Sequence, residues 1–173
     1  MMNKEPVKST SQWQQRKGGR QYVFLTGRGR SGTTWLGQIM NTYEYCCYKY
    51  EPFLPLKSTP YSQWRDDLIH GNAEDMRLRF DALSLNCYHQ VDMPPFPAKI
   101  FRSQNPQILH LLYGLGTRIE GLRFIYEWYG RTPLSSESPV LIKDVNFPNA
   151  LLPPLIKALH PDIIAMIRNL YSH

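Results

Sequence analysis

The chain lacks any apolar run near the roughly 18 residues that cross a bilayer, and Met1–Gln21 is polar without a hydrophobic signal core. A cytoplasmic protein without a membrane partner is expected. Cysteine is scarce: Cys46, Cys47 and Cys87 fit neither a disulfide framework nor a zinc ligand pattern, and they read as buried thiols in a reducing compartment. His70, His89, His110, His160 and His173 show no H-x-x-H or H-E-x-x-H spacing, so no metal site is expected. The formal charge of +6 is spread along the chain rather than gathered in a block. Anionic ligands are favoured, and no specific nucleic-acid partner is indicated. Repeats and low-complexity tracts are also missing, and the 14 prolines fall between elements.

What is present is enough for one core: 173 residues, 42% of them hydrophobic. Residues 1–20 lack apolar periodicity and read as a mobile leader, leaving residues 21–173 as a single domain. An apolar β-type run near 22–26 precedes a helical pattern near 32–42, with Trp35, Leu36, Ile39 and Met40 at helical spacing. Tyr45–Tyr50 reads as a second, parallel strand. A mainly helical insertion follows over about 60–130, from Asp66-Asp67-Leu68-Ile69 and Glu74–Leu85 onward. Pro94-Pro95-Phe96-Pro97 breaks it. Asn105 is placed to cap a helix that Gly114 or Gly116 ends. Residues 138–144 form a buried strand, Leu151, Leu155, Ile156 and Leu159 a helix, and residues 162–168 a further strand. This alternation predicts an α/β fold: a short parallel sheet with crossover helices in three layers. Ligands on such sheets bind beyond the carboxyl ends of strands, where Gly27–Thr34, Glu51, Asp144 and Arg168 all fall.

The stretch Gly27-Arg28-Gly29-Arg30-Ser31-Gly32-Thr33-Thr34-Trp35 joins the first strand to the first helix. N–H groups at a helix start have no intrahelical partner, and the macrodipole there favours negative charge, so this turn suits a phosphate. Gly27 and Gly32 have the spacing of a Walker A loop, yet Thr33-Thr34 stands where a nucleotide triphosphatase carries Lys-Ser/Thr. The cations come earlier, at Arg28 and Arg30. A phosphate without a metal-bound triphosphate tail is the ligand this loop fits.

At Arg30-Ser31-Gly32-Thr33-Thr34-Trp35-Leu36 the chain resembles the sulfotransferases that use 3′-phosphoadenosine 5′-phosphosulfate, in particular the carbohydrate and bacterial branches. The resemblance implies a P-loop NTPase-like three-layer fold and metal-free transfer of a sulfuryl group to a hydroxyl or amine of a carbohydrate or small-molecule acceptor. Arg28, Gly29, Arg30, Ser31, Gly32, Thr33, Thr34 and Trp35 are the implied donor-binding residues. Arg30 is placed to stabilise charge on the leaving phosphate, while Arg28 faces either phosphate or solvent and Trp35 either the adenosine or the core.

Met166-Ile167-Arg168-Asn169 resembles the second signature of that family, whose Arg grips the 3′-phosphate, although Leu170 replaces its Pro. The family serine that shares this phosphate falls beyond His173, so an incomplete domain is expected. Glu51, before Pro52, and Asp144, at the end of Leu141-Ile142-Lys143-Asp144, are the candidate general bases. Glu51 otherwise reads as a surface glutamate before a turn, and no His stands where the cytosolic branch has its catalytic one. The alternatives are a P-loop kinase or hydrolase and an inactive nucleotide-binding module.

Overall fold

The computed structural model describes residues 20–54, 61, 68, 73–98, 104–131 and 138–167. Within them the chain forms β1 (Tyr22–Gly27), α1 (Thr33–Met40), β2 (Cys47–Tyr50), α2 (Ala73–Ser84), α3 (Pro106–Arg118), α4 (Arg123–Gly130), β3 (Val140–Lys143), α5 (Leu152–Leu159) and β4 (Asp162–Met166). Short 3-10 turns at Glu120–Leu122 and Asn149–Leu151 lead into α4 and α5. The fold is α/β, a short parallel sheet flanked by helices.

The sheet is four-stranded with order β2-β3-β1-β4, and every pairing is parallel. Strand β3 lies inside and is buried at each of its residues, as a continuous apolar run in a parallel sheet requires. Alternate side chains divide between two layers. Tyr22, Phe24, Cys47, Val140 and Ile142 pack with Met76 and Phe80 of α2 and with Leu155, Ala158 and Leu159 of α5. Leu25, Tyr48 and Leu141 pack on the opposite side with Leu36 and Met40 of α1. Aromatic edges close the first layer: Phe53 lies 5.1 Å from Phe147, and Tyr61 5.1 Å from Phe80, between ring centroids. Such pairs add roughly 0.5–1.5 kcal/mol each beyond area burial.

This order has a topological consequence. The connection leaving β1 runs to β2 across β3, while the one leaving β3 runs to β4 across β1. Connections from these neighbouring strands therefore depart in opposite directions, which puts a topological switch point between the carboxyl ends of β1 and β3. The residues that follow these ends are the Gly27–Gly32 loop and Asp144.

Two sequence expectations shift. Arg20 belongs to the fold rather than to the leader: it is buried and its Nη1 donates to Asp81 O at 3.4 Å, next to the Tyr22 hydroxyl that donates to the Asp81 carboxylate. Residues 1–19 lie outside the described residues, as does Asp66-Asp67. Helix α3 runs through both Gly114 and Gly116 and ends at Ile119. Gly116 marks a close approach instead of a stop, since a Cβ there would lie 3.0 Å from His89 Nε2. The Asn105 cap is as expected, its side chain accepting from Gln107 N at 2.9 Å.

Candidate functional site

The loop after β1 is held by its own backbone. Ser31 N donates to Arg28 O at 3.1 Å, and Arg30 (φ 65) and Gly32 (φ 89) adopt left-handed conformations that reverse the chain into α1. Gly27 is required by space: a Cβ there would stand 2.6 Å from Met166 O and 2.9 Å from Ser31 Oγ. The loop and the end of β4 thus touch through backbone.

Gly32 is the N-cap of α1 and offers no side-chain bond, while its carbonyl accepts from Leu36 N at 3.0 Å. The N–H groups of Thr33, Thr34 and Trp35, ahead of that first bond, have no acceptor within the helix. Around this opening Arg28, Gly29, Arg30, Gly32, Thr34 and Trp35 are exposed, and Thr33 is buried beneath. Ser31 Oγ is buried with no hydrogen-bond partner, although a buried hydroxyl ordinarily finds one.

The second half of the site lies at the ends of β2 and β3. Tyr50 is in register with Lys143, Lys143 with Leu25, and Glu51 N donates to Lys143 O at 2.6 Å, so Glu51, Asp144 and Thr26 follow these rungs in adjacent strands. Adjacent strands are about 4.8 Å apart, so Glu51 lies on the order of 10 Å from the backbone that begins the loop. Glu51 is left-handed (φ 49) and buried, not a surface residue. Its Oε1 lies 2.5 Å from Lys143 Nζ, which also sits 4.3 Å above the Tyr50 ring.

Side chains alternate along a strand, so Asp144, the residue after Lys143, is directed to the other layer. Its Oδ1 accepts from Asn146 N at 3.0 Å, whereas its Oδ2 is buried and has no partner. Burial raises the Asp144 carboxyl to about 6, and the Glu51 charge adds to the rise against backbone N–H groups of Asn146 and Phe53 and the Lys143 charge. A carboxyl of this kind changes charge near neutral pH, as a proton acceptor must.

Of the residues the sequence singled out, the structure therefore brings together Arg28 to Trp35 with Glu51 and Asp144 on one end of the sheet. Trp35 is 64% exposed, which removes it from the core. Arg168 lies outside the described residues. Lys143 was given no role in the sequence, yet an ammonium inside the buried run Val140–Lys143 had to find a carboxylate, and that requirement is the signal which marks it. Lys49 in β2 follows the same logic: fully buried, it lies 2.9 Å from the Asp92 carboxylate and 2.6 Å from Asn86 O. Burial lowers its pKa, but the Asp92 charge and hydrogen bond together with the Cys47 and Tyr61 groups outweigh this and leave it well above the usual value.

A cavity of about 30 Å³ lies away from this site, between β2 and α3–α4, lined by Lys49, Asn86, Asp92, Leu109 and Tyr126 among others. It has room for water and not for a nucleotide. Among the described residues no group of His, Cys, Asp and Glu could hold a metal ion, and no helix is long and apolar enough to cross a membrane.

No family model, curated protein or solved structure matches the chain.

Proposed function

We propose that the chain is a sulfotransferase on a P-loop-like α/β fold, which binds 3′-phosphoadenosine 5′-phosphosulfate at Gly27–Trp35 and transfers its sulfuryl group to a hydroxyl or amine of a carbohydrate or small-molecule acceptor. One observation carries the reading. Two buried oxygen atoms without partners, Ser31 Oγ and Asp144 Oδ2, belong to segments that follow the carboxyl ends of the neighbouring strands β1 and β3, where a helix start with open N–H groups also lies. The donor supplies an activated sulfur and a phosphate leaving group, and every other part falls to the chain.

Ser31 Oγ and the N–H groups of Thr33 and Thr34 hold the 5′-phosphate, and Arg30 meets the charge that grows there as the S–O bond breaks. Trp35, exposed beside the loop, offers a face for the adenine. Asp144 takes the proton of the acceptor as its oxygen or nitrogen bonds to sulfur. Glu51 holds Lys143 and is a positioning residue, because the ion pair already engages its carboxylate. A cytoplasmic setting, in which this donor is available, completes the proposal.

Titration calorimetry of the full chain with 3′-phosphoadenosine 5′-phosphate tests it. Micromolar binding that is lost in Arg30→Ala is expected, followed by transfer of labelled sulfate from the donor to a panel of hydroxyl acceptors. Absence of binding overturns the reading, and Mg²⁺-dependent turnover of a nucleoside triphosphate would replace it with a kinase or hydrolase.

A further inference from the structure

Helices α3 and α4 form a hairpin whose inner side is settled by Leu109 and Tyr126, both buried, and by Gly116 and Gly130, which abut His89 and Cys87. Away from it several large apolar side chains are exposed among polar ones such as Gln107 and Thr117. Ile108 and Leu111 recur on one face of α3, Phe124 and Trp128 lie one turn apart on α4, and Ile119 joins them at the turn. All are exposed, Phe124 at 66% and Trp128 at 75%.

Counting about 200 Å² for a whole aromatic side chain, these residues offer on the order of 500 Å² of apolar surface. A stable protein interface buries about 800 Å² per partner, a little over half of it apolar, so the patch matches what one side of such a contact needs. It is as large as the largest apolar patches that monomers leave in water, which are often functional.

The charges around the patch decide between occupants. Arg118 and Arg123 stand with Glu120 at the hairpin turn, Arg123 Nη1 lying 3.5 Å from Glu120 Oε1, and exposed Arg131 follows the end of α4, while Glu127 Oε1 accepts from His89 N on the inner side. A rim of both signs can pair with itself when a two-fold axis brings opposite signs together. We propose that the outer face of the α3–α4 hairpin is the contact by which two copies of this chain associate, four helices meeting across the axis.

Because each copy carries a formal charge of +6, association works against a general repulsion that salt screens. Dimerisation should therefore strengthen as salt rises, the opposite of binding to anionic lipid. Sedimentation equilibrium of the full chain from about 1 to 100 μM, at low and high salt, provides the test. The expected result is a monomer–dimer equilibrium tightened by salt and weakened at least tenfold by Leu111→Glu and by Trp128→Glu, with the far-ultraviolet dichroism of wild type. Ile108→Lys repeats the measurement at the far end of the face should either variant fail to fold. A monomer across the whole range, or a dimer unaffected by these variants, overturns the proposal. So does a monomer that floats with phosphatidylserine vesicles through Trp128.

Discussion

Lys143 Nζ lies 2.5 Å from Glu51 Oε1, while the next residue, Asp144, turns to the opposite layer and keeps one carboxylate oxygen buried without a partner. One carboxylate is held by an ammonium and the other by backbone N–H groups alone.

Breaking the pair from one side should be costly. Lys143→Met leaves Glu51 buried beside no cation, and a loss of about 3–5 kcal/mol is expected in urea unfolding. The double variant Lys143→Met/Glu51→Gln removes both charges and should lie within about 2 kcal/mol of wild type. Additive losses in the double-mutant cycle would show that the two residues do not act as a pair.

Asp144 predicts a pH dependence with a definite sign. Its folded pKa of about 6 exceeds the ordinary 3.8, so the folded state favours the protonated form. The contribution is fully present below about pH 4 and is lost as pH rises through 6, a change on the order of 2–3 kcal/mol. Asp144→Asn lacks this titration and should gain on wild type by that amount between pH 4 and pH 7. A stability difference that does not vary with pH would remove the raised carboxyl.

The same group sets the rate of the proposed transfer. Turnover should climb through about pH 6 and level off, and Asp144→Asn should lower it about 10²- to 10⁴-fold. Full activity in Asp144→Asn with loss in Glu51→Gln would assign the base to Glu51 instead.

The glycines of the loop are unequal. Gly27→Ala forces a Cβ to 2.6 Å from the Met166 carbonyl and should cost roughly 1–3 kcal/mol, as overpacking does, together with ligand binding. Gly29→Ala meets nothing within 4 Å and should leave thermal unfolding unchanged. Equal effects of the two would mean that the loop is not braced on β4.

Trp35 separates binding from folding. With 64% of its surface exposed, Trp35→Ala should alter stability by no more than about 0.5 kcal/mol while weakening 3′-phosphoadenosine 5′-phosphate in calorimetry. Unchanged affinity would take the indole out of the site.

Much of the fold was legible because its signals are local. The β-type run before Gly27, the short strand before Asp144 and the Asn105 cap depend on residues near in sequence, and each element forms where expected. What could not be read depends on partners far along the chain. Gly116 resembles a helix stop until His89 is placed against it, and Lys143 resembles an ordinary strand-end lysine until Glu51, 92 positions away, lies beside it. The residue types of the loop suggest an anion from the sequence alone, whereas the difference between Glu51, paired with Lys143, and Asp144, raised by burial, depends on contacts across the sheet.

The alternation of β3 between layers has a final consequence. Val140 and Ile142 fill one core while Leu141 fills the other, and Lys143 and Asp144 continue the same alternation. A one-residue slip of this strand would send Ile142 into the wrong core and simultaneously exchange the directions of ammonium and carboxyl. Insertions or deletions within β3 therefore cannot be absorbed by degrees: variants that survive folding must keep the native phase, and variation in length has to fall in the loops at the strand ends.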